Sequence, residues 1–304
     1  MKLSRAVALF LEERAAAGAP KSTLSGYGSD LNQMQRLAQH DSVLSFTPDL
    51  VRRYFLWLSE NGCRPSTMAR KYSALREFAR WGCRKSFWDR NPVDQFDRPR
   101  KPDRLPRPFT PDERDRLMRL ELTGVERVLR AVLYYSGLRV TPICNLKVGD
   151  LDFSPVCLPS GLVVPGSIYT EGKGGRKQAI PMHPYLKDVL MDWVLGRMET
   201  ARPQHWVFSH PRTGRPFRRR LVEKIVRGWG ERAGVLSCTP HRFRHTLATD
   251  LFDEGVDSRL VQAILGHRDP KSTQVYMKVR DARLSEAVSR LPVWDPSWQG
   301  RPGL

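Results

Sequence analysis

Between Asp97 and Pro108 the chain reads DRPRKPDRLPRP, and no other stretch limits its possible folds so strongly. Pro99, Pro102, Pro106 and Pro108 each remove a backbone donor and fix φ, so neither a helix nor an inner strand can run through them. A segment this rich in proline is an extended, semi-rigid spacer. The 304-residue chain is long enough for two domains, and the prolines say where to divide it. The expected organisation is a domain over residues 1–97, a linker over 98–108 and a second domain over 109–304. Arg98, Arg100, Lys101, Arg104 and Arg107 coat the linker with positive charge. Such a strap can track a phosphate backbone.

The first domain reads as helical. Val7, Leu9, Phe10 and Leu11 open one helix, and Tyr27, Leu31, Met34 and Leu37 carry a second after Lys21-Ser22-Thr23. Thr47-Pro48-Asp49 starts a third, because Thr offers an oxygen to the unpaired N–H groups and Pro fits the first turn. Pro65-Ser66-Thr67 starts a fourth, with Met68, Tyr72, Leu75, Phe78 and Ala79 as its apolar stripe. Arg70, Lys71, Arg76 and Arg80 interleave with that stripe. Singly each is an ordinary solvated side chain; as a group they fit contacts to a nucleic-acid backbone.

The second domain begins at Thr110-Pro111-Asp112-Glu113, a helix-start signature. A helix is expected from there to about Leu122, and another over 125–136, closed by Gly137. A third starts with Thr141 as its cap and Pro142 in its first turn. Leu162 to Met182 reads as a β-hairpin with GKGG as its turn. Residues 185–198 form an amphipathic helix, HWVFS a short strand, and 218–233, 240–254 and 257–265 further helices. Two last helices are expected over 271–280 and 281–290. The fold class is therefore mainly α with a small β-sheet.

Lysine plus arginine number 51 against 32 aspartate plus glutamate, a net charge of 51 − 32 = +19. That excess points to a polyanion, because each phosphate neutralised releases a counterion. No apolar run reaches the ~18 residues of a membrane span, and Glu12, Glu13 and Arg14 break any signal-peptide core. A cytoplasmic, nucleoid-associated protein is expected. Cys63, Cys83, Cys144, Cys157 and Cys238 are scattered without a CxxC pair, which reads as reduced thiols. His241 and His245 are spaced like a metal pair but lack a nearby third ligand, so no metal is expected.

The chemistry concentrates in a few short motifs. Ser136-Gly137-Leu138-Arg139 places an arginine just past a helix end, and Lys173 stands in the hairpin turn. Thr239-Pro240-His241-Arg242-Phe243-Arg244-His245 puts His241 and Arg244 on one face of a helix start, where the helix dipole favours an anion. Leu265-Gly266-His267 and Tyr276 in STQVYMKV follow. Each alone is weak: a lone tyrosine usually packs, and GKGG is only a turn. Together, and in this order, they resemble the tyrosine recombinase, or phage integrase, family, and within it the Xer-type recombinases. The resemblance runs over nearly the whole chain.

That resemblance implies a helical, SAM-like core-binding domain followed by an α+β catalytic domain. It implies that Tyr276 attacks a DNA phosphorus to form a 3′-phosphotyrosine. Arg139 and Arg244 would clamp the phosphate, Lys173 would protonate the leaving 5′-oxygen, His241 would act in proton transfer and His267 would hydrogen-bond a phosphate oxygen. No cofactor is implied, since the covalent link conserves the bond energy. The partner would be double-stranded DNA bearing a specific site, bound by a homo- or heterotetramer. Arg70, Lys71, Arg76, Arg98, Arg100, Lys101 and Arg104 are the candidate DNA contacts. A C-terminal helix near 283–290 would dock on a neighbouring protomer through Leu284 and Val288, or else pack on its own domain. Many members have an acidic residue three positions after the first arginine; here it is Pro142. The alternatives are a type IB topoisomerase, with the same chemistry but no strand exchange, and a DNA-binding accessory protein without catalysis.

Overall fold

The computed structural model describes residues 1–100, 107–122, 124–157, 163–171, 177–196, 202–265, 288 and 290–292. The chain divides into two compact units, Met1–Leu105 and Pro106–Leu304. Lys101 and Arg104 lie outside the described residues.

The first unit is built from α1 (Leu3–Ala16), α2 (Lys21–Gln35), α3 (Pro48–Glu60) and α4 (Pro65–Arg84). Thr47 caps α3 as expected: its side chain accepts from the Leu50 amide at 3.3 Å, with Pro48 in the first turn. The stripe of α4 buries Tyr72, Leu75, Phe78 and Ala79. Phe78 anchors an aromatic cluster, with its ring 5.5 Å from that of Phe10 and 5.4 Å from that of Phe46.

A charged pair, Asp30 and Lys71, is buried in this unit. Asp30 is fully buried and accepts from Lys71 Nζ at 2.9 Å and from both terminal nitrogens of Arg70. Lys71 also donates to Gln33 at 2.5 Å and to the Tyr54 hydroxyl at 3.2 Å. A buried carboxylate persists only when paired, and Lys71 supplies the pairing. This corrects the reading of Lys71 as a phosphate contact, because its ammonium is buried among its own helices.

In the second unit Thr110 and Glu113 form a reciprocal capping box that starts α5 (Pro111–Met118). The helix stops at Met118, short of the expected Leu122, which is nonetheless buried. Then α6 (Gly124–Tyr135) is buried without a break from Val128 to Tyr135. Next, α7 (Val140–Cys144) is capped by Arg139, not Thr141, so Pro142 is its third residue.

Three antiparallel strands, β1 (Leu151–Asp152), β4 (Ser167–Glu171) and β5 (Lys177–Pro181), form a sheet of order β1-β4-β5. A separate ribbon pairs β2 (Val156–Cys157) with β3 (Val163–Val164). The hairpin expected over Leu162–Met182 is the β4–β5 pair, and its turn, with Lys173, lies outside the described residues. After α8 (Pro184–Leu195), HWVFS is not a strand. It makes the isolated bridges Lys147↔Trp206 and Ser209↔Pro216, and its apolar pair Val207 and Phe208 is buried in the core. The unit continues with α9 (Arg219–Ala233), α10 (Pro240–Asp253) and α11 (Ser258–Ile264). Gly255, at φ +75°, turns the chain out of α10. Trp229, Tyr134, Tyr135, Phe208 and Phe243 are among the large side chains of the core. Among the described residues no helix is long and apolar enough to cross a membrane.

The expected helix over 271–280, like most of 281–290, is outside the described residues. Its described end is informative. Val288 and Leu291 are buried in the core of this same unit. The Leu291 carbonyl accepts from His183 Nε2 at 3.1 Å, and the Pro292 carbonyl from the Tyr135 hydroxyl at 3.0 Å. Val288 is thus an internal anchor and not an exposed hook for a neighbour.

Candidate active site

Three of the six expected catalytic residues, Arg139, His241 and Arg244, are described, and the fold brings them together. Lys173, His267 and Tyr276 lie outside the described residues.

The approach of α6 to α7 fixes Arg139. Ser136 is buried, donating to the Val132 carbonyl at 2.5 Å and accepting from the Leu138 amide at 3.2 Å. Gly137 follows in the left-handed region, φ +57°, where a β-carbon would stand 2.6 Å from Leu247 and 2.9 Å from Leu265. Only glycine satisfies both the turn and the packing. Arg139 then takes the extended conformation of a helix cap and is exposed.

Arg244 comes from the first turns of α10, which starts where Thr239 accepts from the Arg242 amide. Its side chain is buried, with 4 % exposure. One terminal nitrogen donates to the Gly137 carbonyl and the other to the Leu265 carbonyl. The first bond ties Arg244 to the SGLR turn and the second to the end of α11. Among the described residues these two carbonyls are its acceptors, fewer than the five N–H donors of a guanidinium.

Electrostatics define what that acceptor is. Burial, and then the nearby Arg139 charge, lower the pKa of Arg244 to about 10. It is still cationic at neutral pH. Burial, then Arg244 and Arg139, also lower that of His241, which favours its neutral form. Among the described residues no carboxylate is paired with Arg139 or Arg244. The Pro142 departure fits this: the position that would supply an acid to Arg139 supplies none. Two like charges held together without a counter-ion form a site for an anion. The His245 ring packs edge-on against His241, with centroids 4.3 Å apart. Among the described residues no group of three or more His, Cys, Asp or Glu is placed to hold a metal ion.

Arg242, which sequence reasoning passed over, clasps the end of the linker. It donates to the carbonyls of Arg107 at 3.2 Å and Pro108 at 3.0 Å, and to Glu113 at 2.6 Å. Its guanidinium lies 4.3 Å from the Phe109 ring centre. The Phe109 amide donates to Thr246 Oγ1 at 2.8 Å. The chain entering this unit is thereby bolted to the helix that carries His241 and Arg244.

A profile of the "Phage integrase family" matches residues 108–283, more than half of the chain. The chain belongs to the phage integrase family of tyrosine recombinases. A second profile, "Phage integrase, N-terminal SAM-like domain", matches residues 7–86. The tyrosine recombinase XerD of Oceanobacillus iheyensis is 30 % identical over 290 residues, 90 % of this chain and 93 % of that protein. XerC of Anoxybacillus flavithermus is 30 % identical, covering 84 % of this chain and 87 % of that one. Among solved structures, a lambda integrase dimer bound to a COC′ core site superposes with a TM-score of 0.68 at 19 % identity, covering 88 % and 96 %. XerH bound to palindromic difH, a post-cleavage complex, gives 0.68 at 19 %, covering 92 % and 83 %. These likenesses fix the recombinase fold: a SAM-like helical domain followed by a mixed catalytic domain.

The candidate DNA contacts of this recombinase separate under the structure. Arg98 and Arg100 are exposed. Arg70 is half-exposed but braced by Asp30, and Arg76 is paired with Asp94 at 3.0 Å. The helix expected over 218–233 is α9, but its basic face was not among the candidate contacts. Its buried face carries Val222, Val226 and Trp229, while Arg220, Lys224 and Arg227 are exposed at spacings of four and three. That basic face was readable from the same helical period.

Proposed function

We propose that the protein is a site-specific DNA recombinase that cuts and rejoins strands through a covalent 3′-phosphotyrosine at Tyr276. What supports the reading is the nearness of the Arg139 charge to buried Arg244, two cations with no carboxylate paired to them among the described residues. A phosphodiester in that place would complete the site, and the charge it gains in the pentavalent transition state would strengthen the clamp. Donors of this kind contribute on the order of 3–4 kcal/mol each.

The steps balance as follows. The Tyr276 hydroxyl oxygen bonds to phosphorus as the bond from phosphorus to the 5′-oxygen breaks. The phenol proton passes to neutral His241, and the 5′-oxygen takes a proton from Lys173. His267 donates to a non-bridging oxygen. A 5′-hydroxyl of the partner strand then reverses the step, so neither a metal nor ATP is required. Strand exchange proceeds through a Holliday junction on a tetramer; one of the solved relatives is a lambda integrase tetramer bound to such a junction. Arg70, Arg76, Arg98, Arg100, Lys101, Arg104 and the exposed face of α9 hold the duplex.

The test is covalent capture from a library of nicked duplexes with a randomised core. Wild-type protein should form adducts that survive denaturation, and the captured DNA should share one sequence. Tyr276→Phe should form none. Adducts in that variant overturn the assignment, and relaxation of plasmids irrespective of sequence would favour a type IB topoisomerase.

A further inference from the structure

The β4–β5 hairpin carries an inward-facing polar residue that the chemistry above leaves unused. The strands pair from Ser167↔Pro181 to Glu171↔Lys177, and Lys173 falls in the sequence between them, outside the described residues. Ile180 is buried, and Gln178, two residues on, shares its face of the sheet. A polar amide on a core face costs stability unless it is paired. Gln178 is half-buried, and its Nε2 donates to the Ala263 carbonyl in the last turn of α11 at 2.9 Å. Two residues further along, the Leu265 carbonyl takes its bond from Arg244. The carbonyls at the end of a helix have no partners within it. Here one strut comes from the hairpin and the other from α10.

We infer that Gln178 is a positioning residue: it ties the base of the Lys173 turn to the frame that holds Arg244, and so sets where the proton donor stands. This rests on the reading of Lys173 as the general acid. Gln178 touches no reacting atom. Losing its bond leaves the phosphate clamp in place and lets the hairpin shift against it.

A pair of substrates separates this role from a merely structural one. One is the nicked duplex recovered by the covalent capture described above. The other has sulfur in place of the 5′-bridging oxygen. With oxygen, the bond to phosphorus breaks and the 5′-oxygen needs a proton. With sulfur, the phosphorus–sulfur bond breaks and the thiolate leaves without one. Gln178→Met keeps the packing and removes the donor; Gln178→Glu keeps the shape and faces the carbonyl with an acceptor. Both should cleave the oxygen substrate about tenfold or more slowly and the sulfur substrate near the wild-type rate. Lys173→Ala should show the same pattern more strongly. Equal slowing of both Gln178 variants on both substrates, or no slowing on either, overturns the inference. If sulfur fails to rescue Lys173→Ala, the general-acid reading fails and takes this role with it.

Discussion

The charge of Arg139 bears on buried Arg244 closely enough to lower its pKa, and among the described residues no acid is paired with either. Folding alone would separate two such cations or insert a carboxylate. Their juxtaposition is therefore a cost that an anionic ligand relieves.

Two consequences can be measured without the DNA sequence. Arg139→Gln should raise thermal stability slightly in dilute chloride buffer, because it removes the like charge. Inorganic phosphate should raise the melting temperature of the wild type more than that of this variant. Equal phosphate shifts in both proteins would disconnect Arg139 from the anion site.

Gly137→Ala should be severe. The substitution forces an L side chain into a left-handed turn and drives a methyl group into Leu247 and Leu265. A cost of about 2–4 kcal/mol is expected from strain and overpacking. It should appear in urea unfolding, along with slowed cleavage, since the Gly137 carbonyl also receives Arg244. Wild-type stability in this variant would contradict the packing described.

His183 should make the catalytic unit acid-sensitive. Burial lowers its pKa from 6.5 to about 4, and its Nδ1 accepts from the Tyr185 amide, leaving Nε2–H for Leu291. The unfolded chain binds the proton more readily than the folded one, so stability falls as pH drops from 6.5 towards 4. The loss approaches roughly 3 kcal/mol. Denaturant midpoints against pH should show it, and His183→Gln should flatten the profile over that window. An unchanged slope would assign the acid sensitivity to other groups.

Arg242→Ala should loosen the linker's end. It breaks a mostly buried pair with Glu113 and releases the Arg107 and Pro108 carbonyls, at about 2–3 kcal/mol. Limited trypsin digestion should cut near residues 98–107 faster in the folded variant than in the wild type. Equal cutting would show that the clasp does not hold the strap.

How far these features were legible depends on the range of the forces behind them. Thr47 at α3 and the capping box at Thr110 are local, and sequence reads them directly. The family motifs are also local, which is why Arg139, His241 and Arg244 can be named as candidates from the sequence. Burial is a tertiary property. Lys71 looks solvated along α4 until Asp30 of α2 is placed against it. HWVFS has the short apolar run of a strand, but Val207 and Phe208 are held in the core through isolated bridges and not a continuous ladder. The cap of α7 slipped from Thr141 to Arg139 because proline is also tolerated deeper in the first turn. Arg242 was hidden because most of its acceptors are backbone carbonyls, which carry no sequence signature, and its carboxylate partner Glu113 is far away along the chain.

The most direct test of the central claim is mass spectrometry of the covalent adduct after nuclease and trypsin digestion. A nucleotide phosphate should be found on the peptide Ser272–Lys278, attached to Tyr276 through its hydroxyl oxygen. A nucleotide on any other residue, or cleavage of the DNA that leaves no protein adduct at all, would contradict the account.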